Sequence, residues 1–599
     1  MDFKLRQLLW RAWGKSNFYQ EGILKPEDIH LEHPKEEAHG DWATNIALAL
    51  SKKLKENPQK IAREIISKLP KSEMLEKVEE AVGFINFWLA KKPLLESATE
   101  AIKLKEGFGQ GKTLVGKKIM VEFCHPNTHK AFHIGHLRNI TLGESLVRIL
   151  EASGVRVFRA NYQGDIGMHI AKCLYGILQI SNFKFQISKI KNLNDKVEFL
   201  GKAYAQGSKA YEESEKVKKE IGILNKKIYE KNPKIFPLWQ ETRQWSLDYF
   251  DSIYKRVYTK YDRYYFESEV WEKGREIVLD NLKKGIFEKS EGAVIFNGEK
   301  FGLHKRVFVN KEGFSTYEAK DMELGRLQFA EYKPDLIIHV VGPEQSGYFQ
   351  VVFEALAQIF PYTRGREYHL AYGWVRLKKG KMSSRLGNVV LSEWLISEVK
   401  RRIREKIGKM EEGVAESVAV GAVKYSLLKF SPTSGIAFDI DESINLEGNS
   451  GPYIQYTYAR AQSVLRKINS PAGGQIPEKQ DLRTIPGIER RKFRELTLAK
   501  RECVSPKNLK LEELAILRTL YKFPEVVKAS ATSYAPNFLC EYLYDLAQKY
   551  NSFYNKHSIL TPKEKEKEVR DFRILLTAAT AQVLKNGLTL LGIKPLERM

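Results

Sequence analysis

Two short runs carry residue types that could handle a phosphate. They are His133-Ile134-Gly135-His136 and, far downstream, Lys381-Met382-Ser383-Ser384 within LKKGKMSSRLGNVV. Histidines at the opening of a helix can donate hydrogen bonds to phosphate oxygens, and the unpaired N–H groups and dipole there favour an anion. Gly135 would let a flat ring approach the backbone closely. A lysine on a Gly- and Ser-bearing basic loop can stabilise charge that appears on a leaving pyrophosphate. Taken singly, the first run is as well explained by ordinary loop histidines and the second by a solvated turn.

The elements around the first run strengthen it. Residues 118–124 (KIMVEFC) read as a buried strand, and HPNTHKAFH as the loop after it. From His136 a helical pattern runs to Ser153, with Leu137, Ile140, Leu146, Val147 and Leu150 on one face and Gly154 as the stop. Residues 155–162 (VRVFRANY) form a second strand. Strand, loop, helix and strand make the elementary piece of a doubly wound parallel sheet, whose ligands lie beyond the carboxyl ends of the strands. The loop 125–133 falls there.

Upstream, residues 1–20 read as a helix, HGDWATN opens a second helix to about Lys55, and 59–69 form a third. Residues 83–88 alternate like a strand. A small α+β domain over 1–110 is expected, closed by GFGQGK at 107–112. Residues 113–450 then form a multidomain chain's central α/β domain of Rossmann type, with a charged, mostly helical insertion at about 171–290. Strand signals return at 293–296, 306–310 and 336–342, and 398–412 reads as a basic helix. Residues 451–599 look all-helical apart from the polar loop 470–486.

Composition sets the outer limits. The 599 residues carry a net charge of +24, which suits a polyanionic partner but also an ordinary basic surface. Cys124, Cys173, Cys503 and Cys540 are scattered with no CxxC pair, so neither a disulfide scaffold nor a structural zinc site is indicated. There is no apolar signal core and no 18-residue apolar run. A cytoplasmic protein with no membrane association is expected.

The two runs together, in this order, resemble the HIGH and KMSKS motifs of class I aminoacyl-tRNA synthetases. The resemblance implies ATP binding by His133, Gly135, His136, Lys381, Met382, Ser383, Ser384 and Arg385. It also implies attack of an amino-acid carboxylate on the α-phosphorus, with His133, His136 and Lys381 in the catalytic set. The last lysine of KMSKS is missing, with Ser384 in its place. Lys130, three residues before His133, would replace it, an arrangement that resembles some arginyl-tRNA synthetases.

An arginine substrate would need carboxylates matching its planar guanidinium. Glu122, on the strand before the site, and Asp321, in STYEAKDMELG, are candidates. Tyr317 stands one helical turn before Asp321, and Asn127 in HPN can hold the α-amino or carboxylate group.

The chain resembles arginyl-tRNA synthetases from end to end. VEFCHPNTHKAFHIGHLRN, NYQGDIGMH (161–169), EGAVIF, STYEAKD and HVVGPEQSGY follow in that family's order. LEGNSGPYIQYTYARAQSVLRK (446–467) resembles the start of its anticodon-binding domain, and HGDWATN and GFINF its N-terminal tRNA-contacting domain. FYNKHSIL (553–560) resembles a segment near its end. The resemblance implies an arginine–tRNA ligase that uses ATP with Mg²⁺, L-arginine and tRNA(Arg). Glu122, Asn127, Tyr317, Asp321 and Gln345 would line the arginine pocket, and Tyr554 and Met599 would touch tRNA. No protein metal cage is expected, and a monomer is. The rivals are a cysteine- or glutamate-specific class I enzyme, a catalytically silent RNA-binding relative, and a small-molecule nucleotidyltransferase.

Overall fold

Residues 1–378, 390–469, 509–561 and 567–599 are described by the computed structural model. Lys381, Met382, Ser383, Ser384, Arg385 and the loop 470–486 therefore lie outside the described residues. The chain divides into two compact units, each discontinuous in sequence. One comprises Met1–Phe108, Ala461–Phe523 and Gln548–Val583. The other comprises Gly109–Arg460, Pro524–Ala547 and Leu584–Met599.

The first unit begins with α1 (Asp2–Trp13), which ends well short of residue 20. The HGDWATN stretch, expected to open a helix, instead supplies β1 (Trp42–Thr44) before α2 (Ile46–Leu54) and α3 (Pro58–Ser67). Asn57 caps α3 by accepting from the Gln59 amide, and Pro58 fits its first turn. β2 (Leu75–Ala81) and β3 (Phe84–Leu89) complete an antiparallel sheet of order β1-β3-β2. β2 escapes the sequence pattern because LEKVEEA is a half-exposed edge strand. α4 (Lys91–Leu104) follows.

The second unit is built on a parallel sheet. β4 (Lys118–Glu122) leads through a loop into α5 (Ile134–Ala152) and then β5 (Arg156–Gln163). Helices α6 (Met168–Leu178), α7 (Phe183–Lys189), α8 (Leu193–Glu213), α9 (Glu215–Tyr229) and α10 (Phe236–Arg256) share a core around Cys173, Leu174, Leu200, Ile221 and Trp245. The expected helical insertion is thus present but ends earlier. β6 (Arg263–Phe266), inside the stretch expected to be inserted, pairs with β5 and belongs to the main sheet. Its four residues, RYYF, are too short to show a period.

After α11 (Glu267–Leu282), strands β7 (Glu288–Ser290), β8 (Ala293–Phe296) and β9 (Arg306–Val309) form a small antiparallel sheet. α12 (Tyr317–Tyr332), β10 (Leu336–Val341), α13 (Ser346–Ile359) and β11 (Glu367–Ala371) return to the main sheet. Its order is β11-β10-β4-β5-β6, all parallel. The winding reverses between β4 and β10, so the ligand crevice of such a fold opens there.

β12 (Val375–Leu377) pairs with the later β13 (Ile436–Phe438). The basic helix expected over 398–412 is α14 (Ser392–Ile407), which starts earlier and stops before Gly408, and α15 (Glu412–Leu428) follows it. α16 (Ile440–Ser443) precedes α17 (Gly451–Asn469), α18 (Leu511–Leu520), α19 (Phe523–Thr532), α20 (Asn537–Lys556) and α21 (Lys567–Leu590). Among the described residues beyond Gly451 only helices occur, and no helix is long and apolar enough to cross a membrane.

Candidate active site

The loop after β4 is unusual in its backbone. Cys124, His125 and His129 all have positive φ, at 87°, 45° and 64°. Such conformations cost free energy in non-glycine residues and persist where the surroundings enforce them. Asn139, on α5, does much of the enforcing. Its Oδ1 accepts from the Cys124 amide at 2.7 Å and its Nδ2 donates to the Val340 carbonyl at 2.7 Å. It joins the helix to both strands of the switch point. His129 is buried, with ring nitrogens 2.8 Å from Thr242 Oγ1 and 3.1 Å from Thr128 Oγ1, and plays a structural part.

His133 is the N-cap of α5. Its Nδ1 accepts from the Gly135 amide at 3.1 Å, and the His136 Nδ1 accepts from the His133 amide at 3.1 Å. A neutral imidazole that accepts at Nδ1 carries its proton at Nε2. Both rings therefore keep an Nε2–H donor for a ligand. Burial, then Lys130, lowers the pKa of His133. Burial, then His133, puts that of His136 well below the ordinary value. The pair is neutral and preorganised, with ring centroids 3.9 Å apart. Gly135 is required here, since a Cβ would lie 2.8 Å from the His133 ring.

Glu122, at the carboxyl end of β4, is 2% exposed and directly opposite His339 of β10. It accepts from Gln328 Nε2 and lies 3.1 Å from His339 Nδ1. Burial would raise its pKa, but His339 and His125 beside it bring it below the usual value. Asp321, on α12, is partly buried and accepts from the Tyr348 hydroxyl at 2.6 Å. Burial raises its pKa to about 8 despite that bond, and the charge of Glu122 adds to the rise. Tyr317, at the start of the same helix, is 57% exposed, with Lys320 Nζ 5.0 Å from its ring centroid. Lys320 makes a buried 2.6 Å ion pair with Glu267.

Asn127 pairs with Gly164 at the end of β5, where any side chain would strike its Oδ1. Gln345 is exposed in the turn Pro343–Gln345 that follows β10. Tyr162 Oη, His125 Nε2 and His169 Nε2 are buried without a hydrogen-bond partner, although a buried polar group ordinarily has one. Lys130 is exposed on the loop, its Nζ 5.4 Å from the Tyr204 ring centroid. Ile134 donates to the Val390 carbonyl at 2.9 Å, and Ser392 Oγ to the His133 carbonyl at 3.0 Å. Tyr554 lies exposed on α20, and Met599 is half-buried at the last position. Asn139, His339, Gln328 and Tyr348 are functional candidates that motif spacing does not show. The one trace was a histidine inside the otherwise apolar LIIHVVG.

The chain is similar to known proteins along nearly its whole length. Residues 99–440 match the catalytic domain of class I (R) tRNA synthetases, 454–599 the DALR anticodon binding domain, and 5–89 the arginyl tRNA synthetase N-terminal domain. An arginine–tRNA ligase of Treponema denticola is 34% identical over 591 residues, covering 96% of each chain. The chain belongs to the arginyl-tRNA synthetase family. It charges tRNA(Arg) with arginine. The arginine–tRNA ligase of Bacteroides thetaiotaomicron is 32% identical over 600 residues, covering 95% of this chain and 96% of that one. The fold is that of Thermus thermophilus arginyl-tRNA synthetase, with a TM-score of 0.76 at 24% identity over 100% of this chain and 99% of the other. In this synthetase the crevice between β4 and β10 is where the fold expects its small substrates, and both candidate carboxylates border the strands and helix that form it.

Proposed function

We propose that the two outward Nε2–H donors of His133 and His136 bind the ATP phosphates, and that Asp321 and Glu122 receive the arginine guanidinium. Tyr317, Asn127 and Gln345 complete the arginine pocket. The double histidine cap at the mouth of the switch-point crevice is the observation that carries this reading. The arginine carboxylate attacks the α-phosphorus, giving arginyl-adenylate and pyrophosphate. A terminal ribose hydroxyl of tRNA then takes the arginyl group, releasing AMP. Such chemistry needs alignment and charge stabilisation, without a covalent enzyme nucleophile. The neutral imidazoles donate to phosphate oxygens and hold no proton in reserve at Nδ1. Met382, Ser383, Ser384 and Arg385 would add ATP contacts. Mg²⁺ would come on the ATP phosphates and neutralise their charge. Among the described residues no cluster of three His, Cys, Asp or Glu could hold a metal. Residues 1–110, 113–450 and 451–599 would act as tRNA-contacting, catalytic and anticodon-binding parts, with Tyr554 and Met599 at the tRNA, in a cytoplasmic monomer.

Lys130 supplies the sharpest test. Ser384 cannot place a cation on the departing pyrophosphate, whereas Lys130 stands beside the histidine cap and Lys381 would share the task. Lys130→Ala is expected to lower kcat for arginine-dependent pyrophosphate exchange by roughly 10²- to 10³-fold, with a smaller change in the KM for ATP. Ser384→Lys in that background should restore part of the rate. Near-normal exchange by folded Lys130→Ala would exclude the replacement.

A further inference from the structure

Three neighbouring strands of the main sheet carry a buried acid–base–acid line, of which the reaction described above uses only Glu122. Glu122 is on β4, His339 on β10 and Glu367 on β11, with β10 in the middle. His339 Nδ1 lies 3.1 Å from Glu122 Oε1, and His339 Nε2 lies 3.5 Å from Glu367 Oε1. His339 is 5% exposed and packs against Phe349 and Phe353, with ring centroids 5.2 and 5.4 Å away. The two carboxylates lie at the two nitrogens of its imidazole.

We propose that His339 is a positioning residue for arginine recognition: ion-paired with Glu367 on one side, it orients the Glu122 carboxylate for the substrate guanidinium on the other. The inference rests on the reading of Glu122 as a guanidinium contact. A carboxylate at the carboxyl end of a strand can rotate about its last bonds, and a bidentate guanidinium contact needs one orientation. His339 and Gln328 each hold one of its oxygens, which leaves each oxygen a further lone pair for the substrate. Burial opposes a charge on His339, yet Glu122 and Glu367 raise its pKa to about 10, so the grip is charge-assisted at neutral pH. The other titratable groups that sense it are His125, Asp321 and His369. Glu367 would otherwise be a buried acid at the sheet edge with no task. Burial raises its pKa while His339 lowers it.

The test uses the full chain with ATP, arginine and tRNA. His339→Phe keeps the aromatic packing and removes both donors. It is expected to raise the KM for arginine by about 10- to 100-fold with the KM for ATP unchanged, while the melting midpoint falls because two buried carboxylates lose their partner. His339→Gln, which can still donate toward Glu122, should recover most of that loss. Glu367→Gln should raise the arginine KM by about threefold, by loosening His339, and it carries the test if His339→Phe does not fold. Glu122→Gln is the reference. If it raises the arginine KM while His339→Phe leaves it within about twofold, His339 is not a positioning residue and the reading of Glu122 survives. If neither moves it, the reading of Glu122 itself fails. A His339→Phe enzyme that loses ATP and arginine affinity together would show a merely structural histidine and overturn the proposal. An unchanged arginine KM in Glu367→Gln, with His339→Phe unfolded, would overturn it as well.

Discussion

At the scale of single residues, Asp321 is where burial and the proposed role pull in opposite directions. Its pKa is raised to about 8 by burial, so without arginine its carboxyl is mostly neutral at pH 7. A guanidinium favours the ionised form, so binding must release that proton below pH 8. Arginine affinity should therefore climb with pH, by up to about tenfold per unit, and level off near pH 8. Asp321→Asn should flatten the curve and weaken the plateau by about 1.5–3 kcal/mol. Calorimetric titration with arginine at several pH values reads both, and a wild-type affinity that does not change with pH would refute the shift. The sign for folding is opposite. A raised acid pKa leaves the native contribution whole below the unfolded value of 3.8, and it is lost as pH rises through about 8. Asp321, His133 and His136 could be singled out as candidates in the sequence because their motifs are local. His339 and Gln328 could not, since they meet Glu122 across 217 and 206 positions. Nothing in a single sequence records that meeting.

At the scale of elements, the strand–loop–helix–strand start was legible because its apolar patterns are long and bounded by Gly and polar loops. β6 and β12 were not, being four and three residues long. Their strand character comes from pairing with distant strands, which overrides local propensity. A second kind of hidden order lies at the end of α21. Arg148 donates to the Thr589 carbonyl at 3.1 Å, Lys424 to Gly592 at 2.8 Å and Gln455 to Lys594 at 2.8 Å. Side chains from α5, α15 and α17 thus pair with a carbonyl in the helix's last turn, Thr589, and with two in the segment just past its end. Lys424 is fully buried in this task, and burial, then Arg148, lowers its pKa to about 7. The unfolded chain holds that proton up to the ordinary value of 10.5. Between about pH 7 and 10.5 the unfolded state binds more protons, so stability should rise with pH there. The melting midpoint of the wild type relative to Lys424→Met should increase from pH 7 to pH 9. The slope approaches 1.4 kcal/mol per pH unit at most. A difference independent of pH would show that Lys424 keeps its charge.

At the scale of the molecule, the matched domains are contiguous while the compact units interleave. Residues 461–523 and 548–583 cluster with 1–108, and 524–547 and 584–599 with the catalytic sheet. Within the first unit, Arg518 pairs with Asp41 at 3.3 Å and Phe108 stacks on Phe523 at 5.9 Å. A linear reading assigns each stretch to one domain and cannot foresee such sharing. The sharing also decides how tRNA binding can be tested. Cutting the chain near Glu447 would remove one hydrogen-bond partner of Arg148 and those of Lys424 and Tyr425 from the catalytic unit, so lost affinity would confound unfolding with a lost contact. Salt dependence leaves the chain intact. With a net charge of +24, tRNA association should release counterions, and log Kd should rise linearly with log salt concentration. If about six phosphates are neutralised, affinity should fall on the order of 10³-fold between 50 and 200 mM salt, while arginine and ATP binding change far less. Fluorescence anisotropy of labelled tRNA across that range reads the slope directly. A flat line would mean that the excess of basic residues faces solvent and that tRNA is held mainly by uncharged contacts.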